Sequence, residues 1–223
     1  MNKITLLLFA TASLHFAAQS PSMDNLELTH SNIALVGSAK KPSKDIEGSI
    51  FVYPDFTMGR AKGSSILHKI RYNAFDDELQ IIKDGNNYTL KKTYNFPIEF
   101  VDTNEIINYS TYYLNNIKYD GYLFEVANNG HLVFYRKTKI VFIPEKLGKT
   151  SFDASTPPQY KKIRDVYFFQ KDNGKIDALP ELKKELVTLF PEKEQLINQN
   201  FKGRKIDLSN ISELKKLLIV LMT

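Results

Sequence analysis

Asp-Gly and Asn-Gly steps punctuate this chain at Asp84-Gly85, Asp120-Gly121, Asn129-Gly130 and Asn173-Gly174, each beside runs rich in β-branched and aromatic residues. Glycine accepts the positive φ that a tight hairpin turn needs. Each step therefore reads as a hairpin tip, and their spacing favours antiparallel pairing over parallel βαβ units. The extended runs are residues 49–53, 66–72, 78–83, 87–92, 122–127, 132–137, 140–143, 166–170 and 175–178. In the second of them Ile66, His68, Ile70 and Tyr72 fall on one side and Leu67, Lys69 and Arg71 on the other, the period of a strand. A further turn is expected at Asp76-Asp77, and the connector 148–160, with Pro157-Pro158, reads as a loop.

Beyond about residue 178 the aromatics thin out and helix formers take over. Residues 180–190 predict a helix with Pro180 in its first turn and Leu182, Leu186 and Leu189 on one face. Pro191 stops it and opens a second, with Leu196, Ile197 and Phe201 as apolar positions and Gly203 at its end. Ser209 is the expected N-cap of a third, whose face carries Ile211, Leu214, Leu217, Leu218 and Leu221, with Lys215 and Lys216 away from its centre. Helices this short are marginal alone and must pack on each other or on a sheet. The fold class is thus α+β: an antiparallel β-meander or sheet domain, residues 48–177, followed by a short helical C-terminal segment, residues 178–223, packed on it. Residues 21–47, polar and poor in aromatics, read as a flexible lead-in with a short strand or turn at 33–36.

Residues 1–20 carry Lys3, an apolar stretch over 4–9, and the small-residue exit Ala17-Ala18-Gln19-Ser20. That is the layout of a secretory signal peptide, so the product is expected outside the cytoplasm, periplasmic or extracellular. The chain has no cysteine, which excludes disulfides, Cys-ligated zinc and thiol nucleophiles, and leaves the core to hold the fold. The longest later apolar run, residues 217–222, is far short of a membrane span, so no transmembrane segment is expected. The formal net charge of +5 is mild and forms no basic block, so nucleic acid is not an expected partner.

Two stretches carry a resemblance. Residues 48–56, reading Gly-Ser-Ile-Phe-Val-Tyr-Pro-Asp-Phe, and residues 70–80, reading Ile-Arg-Tyr-Asn-Ala-Phe-Asp-Asp-Glu-Leu-Gln, resemble a pattern recurring in exported β-rich proteins of Bacteroidetes-type bacteria. The run 121–126 and the Leu189-Phe190-Pro191-Glu192-Lys193 element before two short helices are similar to the same pattern. The resemblance implies export, a β-rich domain and a helical C-terminus. Its motifs are structural, and it carries over no activity.

Catalytic signatures are absent from the sequence. Gly148-Lys149-Thr150 lacks the earlier glycine of a phosphate loop, and Gly63-Ser64-Ser65 lacks the frame of a nucleophile elbow. Outside the leader the histidines are His30, His68 and His131, without metal-ligand spacing. Arg71, Asp76, Asp77 and Glu78 crowd one turn, but the ligand order of a calcium loop is missing. Their expected role is turn chemistry, with carboxylates accepting backbone N–H groups and pairing with Arg71. No catalytic residue, metal or cofactor is assigned. The candidates for ligand binding are Tyr109, Tyr112, Tyr113, Tyr119 and Tyr122, whose flat faces can stack on a ligand, although tyrosine also fills half-buried strand positions. Two functions follow. One is a non-catalytic envelope or extracellular module that binds a protein, glycan or lipid. The other is a hydrolase of envelope material, in which His68 or His131 meets a carboxylate and a hydroxyl in a cleft. The missing catalytic signals favour the first.

Overall fold

The computed structural model describes residues 33–34, 46–147 and 155–223. The expected leader 1–20 lies outside them, as does most of the 21–47 segment. From that segment, β1 (Ile33–Ala34) pairs with β5, and Glu47 bridges Gln159. The strands that follow are β2 (Thr57–Ala61), β3 (His68–Asn73), β4 (Glu78–Lys83), β5 (Asn86–Leu90), β6 (Ile98–Phe100), β7 (Glu105–Leu114), β8 (Ile117–Asn128), β9 (Leu132–Lys137), β10 (Ile140–Ile143), β11 (Gln159–Lys162), β12 (Val166–Lys171) and β13 (Ile176–Ala178). Helices α1 (Lys183–Leu189), α2 (Glu194–Asn200) and α3 (Ile211–Met222) complete the chain. The class is α+β, a largely antiparallel sheet with a helical C-terminal segment.

Hairpins set the register. β4 and β5 meet at Asp84-Gly85, where φ is 50° and 77°, as a two-residue turn of the primed type requires. The β12–β13 turn uses Asp172 and Asn173, and the β8–β9 turn uses Gly130 at φ 89°. The tip expected at Asp120-Gly121 lies elsewhere. β7 and β8 turn at Asn115-Asn116, with φ of 52° and 61°, and Leu114 stands opposite Ile117. Asparagine enters the left-handed region more readily than most residues, so this pair needs no glycine. Gly121 is left inside β8, opposite Ser110.

The main sheet runs β1-β5-β4-β3-β2-β6-β7-β13-β12-β9-β8, and β8 also pairs with β7. Strands β7, β8, β9, β12 and β13 therefore close on themselves as a small ring, completed by a parallel pairing of Asp177 with Tyr113. Each strand of the ring sends side chains inward: Tyr112, Leu123, Val133, Tyr135, Phe168 and Ile176 form one buried cluster. Strand alternation then sends Leu132, Phe134 and Phe169 outward, where they pack under the helices with Leu186, Phe190, Ile197, Leu214 and Leu217. On another side, Ile107, Tyr122 and Phe124 of β7 and β8 pack against Ile70, Tyr72, Leu79 and Ile81 of the first strands. Three cores thus share the β7–β8–β9 sheet as their common wall.

Several details differ from the sequence reading. Residues 49–53 form no strand; a single bridge links Phe51 to Asn73, since Pro54 ends the run. The connector expected as a loop contains β11, which pairs with β10 once Pro158 is passed; residues 148–154 lie outside the described residues. In α1 only Leu186 of the expected face is buried, with Phe190 one turn on. Leu182 precedes the helix as its N-cap, and it and Leu189 stay exposed. In α2, Ile197 is buried and Phe201 is buried just after it, while Leu196 is exposed. That helix ends at Asn200 with Phe201 already extended, so Gly203 does not terminate it. The N-cap of α3 is Asn210, not Ser209: the Asn210 carboxamide oxygen accepts from the N–H groups of Ser212 and Glu213, while Ser209 is bonded to Asp207. Ile211 stands 67 % exposed ahead of the buried stripe Leu214, Leu217, Leu218 and Leu221.

Candidate functional site

The ring has a mouth formed by the C-terminal ends of β7 and β9 and the start of β8. The turn between β3 and β4 covers part of it. That turn is built by Asn73, whose side-chain oxygen accepts from the N–H groups of Phe75 and Asp76. It ends on Asp77 at φ 57°, which aims the carboxylate at the ring. Asp77 Oδ1 accepts from the Tyr72 hydroxyl at 2.6 Å and from Lys137 Nζ at 2.6 Å. The Tyr122 N–H points at both carboxylate oxygens, each at 3.3 Å. Lys137 Nζ also donates to the Tyr122 carbonyl at 3.0 Å and to the Tyr72 oxygen at 3.3 Å.

This knot exists because β8 has no side chain where it passes. A Cβ on Gly121 would lie 2.5 Å from Asp77 Oδ2 and 3.0 Å from Lys137 Nζ. Glycine inside a strand often marks such a close approach, and here it makes room for a largely buried ion pair. Burial pushes the Lys137 ammonium below its ordinary value, with Asp77 pulling the other way. Burial, then Asp77, drives the hydroxyls of Tyr72, Tyr112 and Tyr122 upward, Tyr112 to about 12. An ammonium has three protons to donate, and Lys137 has three acceptors. The knot is thus a fixed polar wall. Replacing Tyr72 by phenylalanine removes one donor from Asp77 and is expected to cost about 1–2 kcal/mol in a urea melt.

Above the knot lies an open cleft of about 350 Å³, lined by Ala74, Phe75, Asp77, Tyr112, Leu114, Tyr119, Lys137 and Lys139. Phe75 and Tyr119 present their rings, 40 % and 41 % exposed. Tyr119 stacks on Tyr112 with centroids 5.7 Å apart, and Phe75 meets Tyr160 edge to face at 5.2 Å. Lys139 is exposed and has no ion pair among the described residues. The cleft therefore carries two cations, Lys137 and Lys139, against one carboxylate, Asp77.

Of the five candidate tyrosines, the structure brings Tyr112 and Tyr119 to this cleft. Tyr122 contributes its backbone to the knot, while its ring turns to the other face and packs on Tyr72 and Tyr109. Tyr109 lies on that face as well, and Tyr113 sits under Lys175, whose Nζ is 3.8 Å from the ring centroid. Strand alternation separates them, since Tyr109, Tyr113 and Tyr122 face away from the ring and Tyr112 and Tyr119 face its mouth. Sequence reasoning missed Phe75, Lys137 and Lys139. Gly121, misread as a turn, was the available signal.

The other expected chemistry is placed differently. Arg71 does not pair with the acidic turn. Its guanidinium lies between the rings of Phe51 and Phe56, 3.6 and 4.1 Å from their centroids, and donates to Gln80 and the Pro54 carbonyl. The turn's cation is Lys137, supplied from 60 residues away in sequence. His131 Nδ1 lies 3.1 Å from Asp172, but this pair is on turn tips, 90 % and 75 % exposed, away from the cleft. Among the described residues no His, Asp and Glu group is arranged to hold a metal ion, and no helix is long and apolar enough to cross a membrane. Compared with protein-family models, curated proteins and solved structures, the chain matches none, so a functional reading rests on the cleft itself.

Proposed function

We propose that this chain is an exported, non-catalytic binding module whose ligand sits in the cleft at the mouth of the β7–β8–β9–β12–β13 ring. The observation that carries the reading is the pairing of a locked floor with an open rim. Asp77 Oδ1, Lys137 and Tyr72 hold one another in place, whereas Phe75, Tyr119 and Lys139 are exposed around them. Lys137 spends its three donors on Asp77, the Tyr122 carbonyl and the Tyr72 oxygen, which fixes it as part of the floor. Exposed rings, and a Lys139 cation without an ion pair among the described residues, are what a ligand would meet. Barrel mouths are a common place for such sites, and a rigid wall costs little order on binding. The export half of the reading is supported by the leader-like sequence of residues 1–20.

Amide and aromatic NMR on the mature chain tests this, using a library of monosaccharides, amino acids and small aromatic acids. Binders are expected to shift Phe75, Tyr119 and Lys139 together. The proposal fails if no compound shifts these residues, or if the binders map elsewhere, for instance to the exposed apolar strip of α3 around Ile219 and Met222.

A further inference from the structure

The cleft's donors, acceptors and rings narrow the ligand further, on the premise that the cleft is the binding site. Among the described residues Asp77 Oδ2 accepts one hydrogen bond, the 3.3 Å N–H of Tyr122, so it has capacity left for a hydroxyl donor. Among the described residues neither the Tyr112 nor the Tyr119 hydroxyl has a hydrogen-bond partner, and both rings line the cleft. Lys139 adds a cation without an ion pair among the described residues, and the Phe75 and Tyr119 rings offer apolar platforms.

We infer that the cleft takes an acidic sugar ring, a hexuronate unit of a glycan, stacked on an aromatic rim with its carboxylate on Lys139 and a hydroxyl on Asp77. The alternatives each leave something unused. A free phosphate has no face for the rings. An unsubstituted aromatic acid such as benzoate has no hydroxyl for Asp77 and the two phenols. A neutral sugar leaves Lys139 without a counter-charge. A lipid chain has no use for a floor that is an ion pair, and at about 350 Å³ the cleft is at the small end of ligand sites. A sugar with a carboxylate engages every exposed group.

Calorimetric titration of the mature chain decides this, with oligomers of galacturonate, glucuronate and mannuronate as probes, each beside its methyl ester, and benzoate as the aromatic acid. At least one uronate oligomer is expected to bind, and its ester to bind about tenfold more weakly or worse. Lys139→Glu should abolish that preference, and Tyr119→Ala should weaken acid and ester alike by about tenfold. Both side chains are on the rim, and a thermal melt matching the unsubstituted chain shows that the fold is kept. Equal binding of acid and ester, tighter binding of benzoate, or no binding of any uronate overturns the inference. If the uronates fail while other compounds still shift Phe75 and Tyr119 by NMR, the acidic-sugar assignment falls and the binding module stands. If nothing reaches the cleft, both fall.

Discussion

Gly121→Val is expected to leave the chain unfolded at room temperature, and Gly121→Ala to cost about 2–3 kcal/mol in a urea melt. The strain is one of space. Gly121 does not have positive φ, so alanine suits its backbone, but the added Cβ meets Asp77 Oδ2 at 2.5 Å, Lys137 Nζ at 3.0 Å and Tyr112 at 3.4 Å. None of the three can yield cheaply. Asp77 is held by Tyr72 and Tyr122, Lys137 by the Tyr122 carbonyl, and the Tyr112 ring is wedged edge-on against Phe168 at 4.9 Å. Parting the ion pair strands charge away from water, a cost of the same kind as deleting one partner. Valine adds two methyl groups to the same gap. Gly85→Ala is the control, because its surroundings are open and only its φ of 77° is unfavourable. It should cost about 1–2 kcal/mol and leave the NMR signals of Tyr112 and Tyr119 in place. If Gly121→Ala melts like the parent chain, the close approach is not what holds this end of the ring.

The contrast between these two glycines shows what was legible in the sequence and what was not. Gly85 lies between two alternating runs, and its turn, the strands beside it and their register follow from local chemistry alone. Strands 78–83, 132–137 and 140–143 coincide with β4, β9 and β10 for the same reason. Gly121 also follows an aspartate, but what demands glycine there is an ion pair between residues 77 and 137, a contact between distant segments. The tip fell instead to Asn115-Asn116, whose side chains tolerate positive φ without advertising it. Short strands such as β2 and β6 have little period of their own, and they exist because neighbours present free edges to them. The candidate site was half visible. A crowd of tyrosines marked the right hairpin, but strand alternation had to divide it, and the turn that divides it was misplaced. Lys137 and Lys139 looked like any solvated lysines until the ring closed and one of them was buried.

Raising the pH above about 10 is expected to unfold the chain cooperatively, before its buried tyrosines ionise in the folded state. Four buried hydroxyls have raised values: Tyr72, Tyr112, Tyr122 and Tyr135, with Tyr112 and Tyr135 each at about 12. Burial is the chief cause in all four, followed by Asp77 for the first three and Glu125 for Tyr135. A tyrosine in the unfolded chain gives up its proton near pH 10, while the folded chain keeps these four. Above that pH the folded state binds more protons, so stability falls as pH rises. It is fully present below about pH 10 and lost through the raised values. Each group contributes about 1.4 kcal/mol per pH unit, so four together remove about 5–6 kcal/mol per unit, comparable to the whole stability of an ordinary domain. Lys137 runs the other way, because its folded value is lowered and the unfolded chain binds the extra proton. That opposing slope vanishes once the unfolded lysine has also lost its proton, near pH 10.5, so it does not rescue the fold at higher pH. Tyrosinate absorbance and far-ultraviolet circular dichroism, followed together through a base titration, should show the buried tyrosines ionising in one step with loss of strand signal. Ionisation of all twelve tyrosines by pH 12 with the strand signal intact would mean that Tyr72 and its neighbours are open to water, and that the floor of the cleft is not the sealed wall that the proposed binding site assumes.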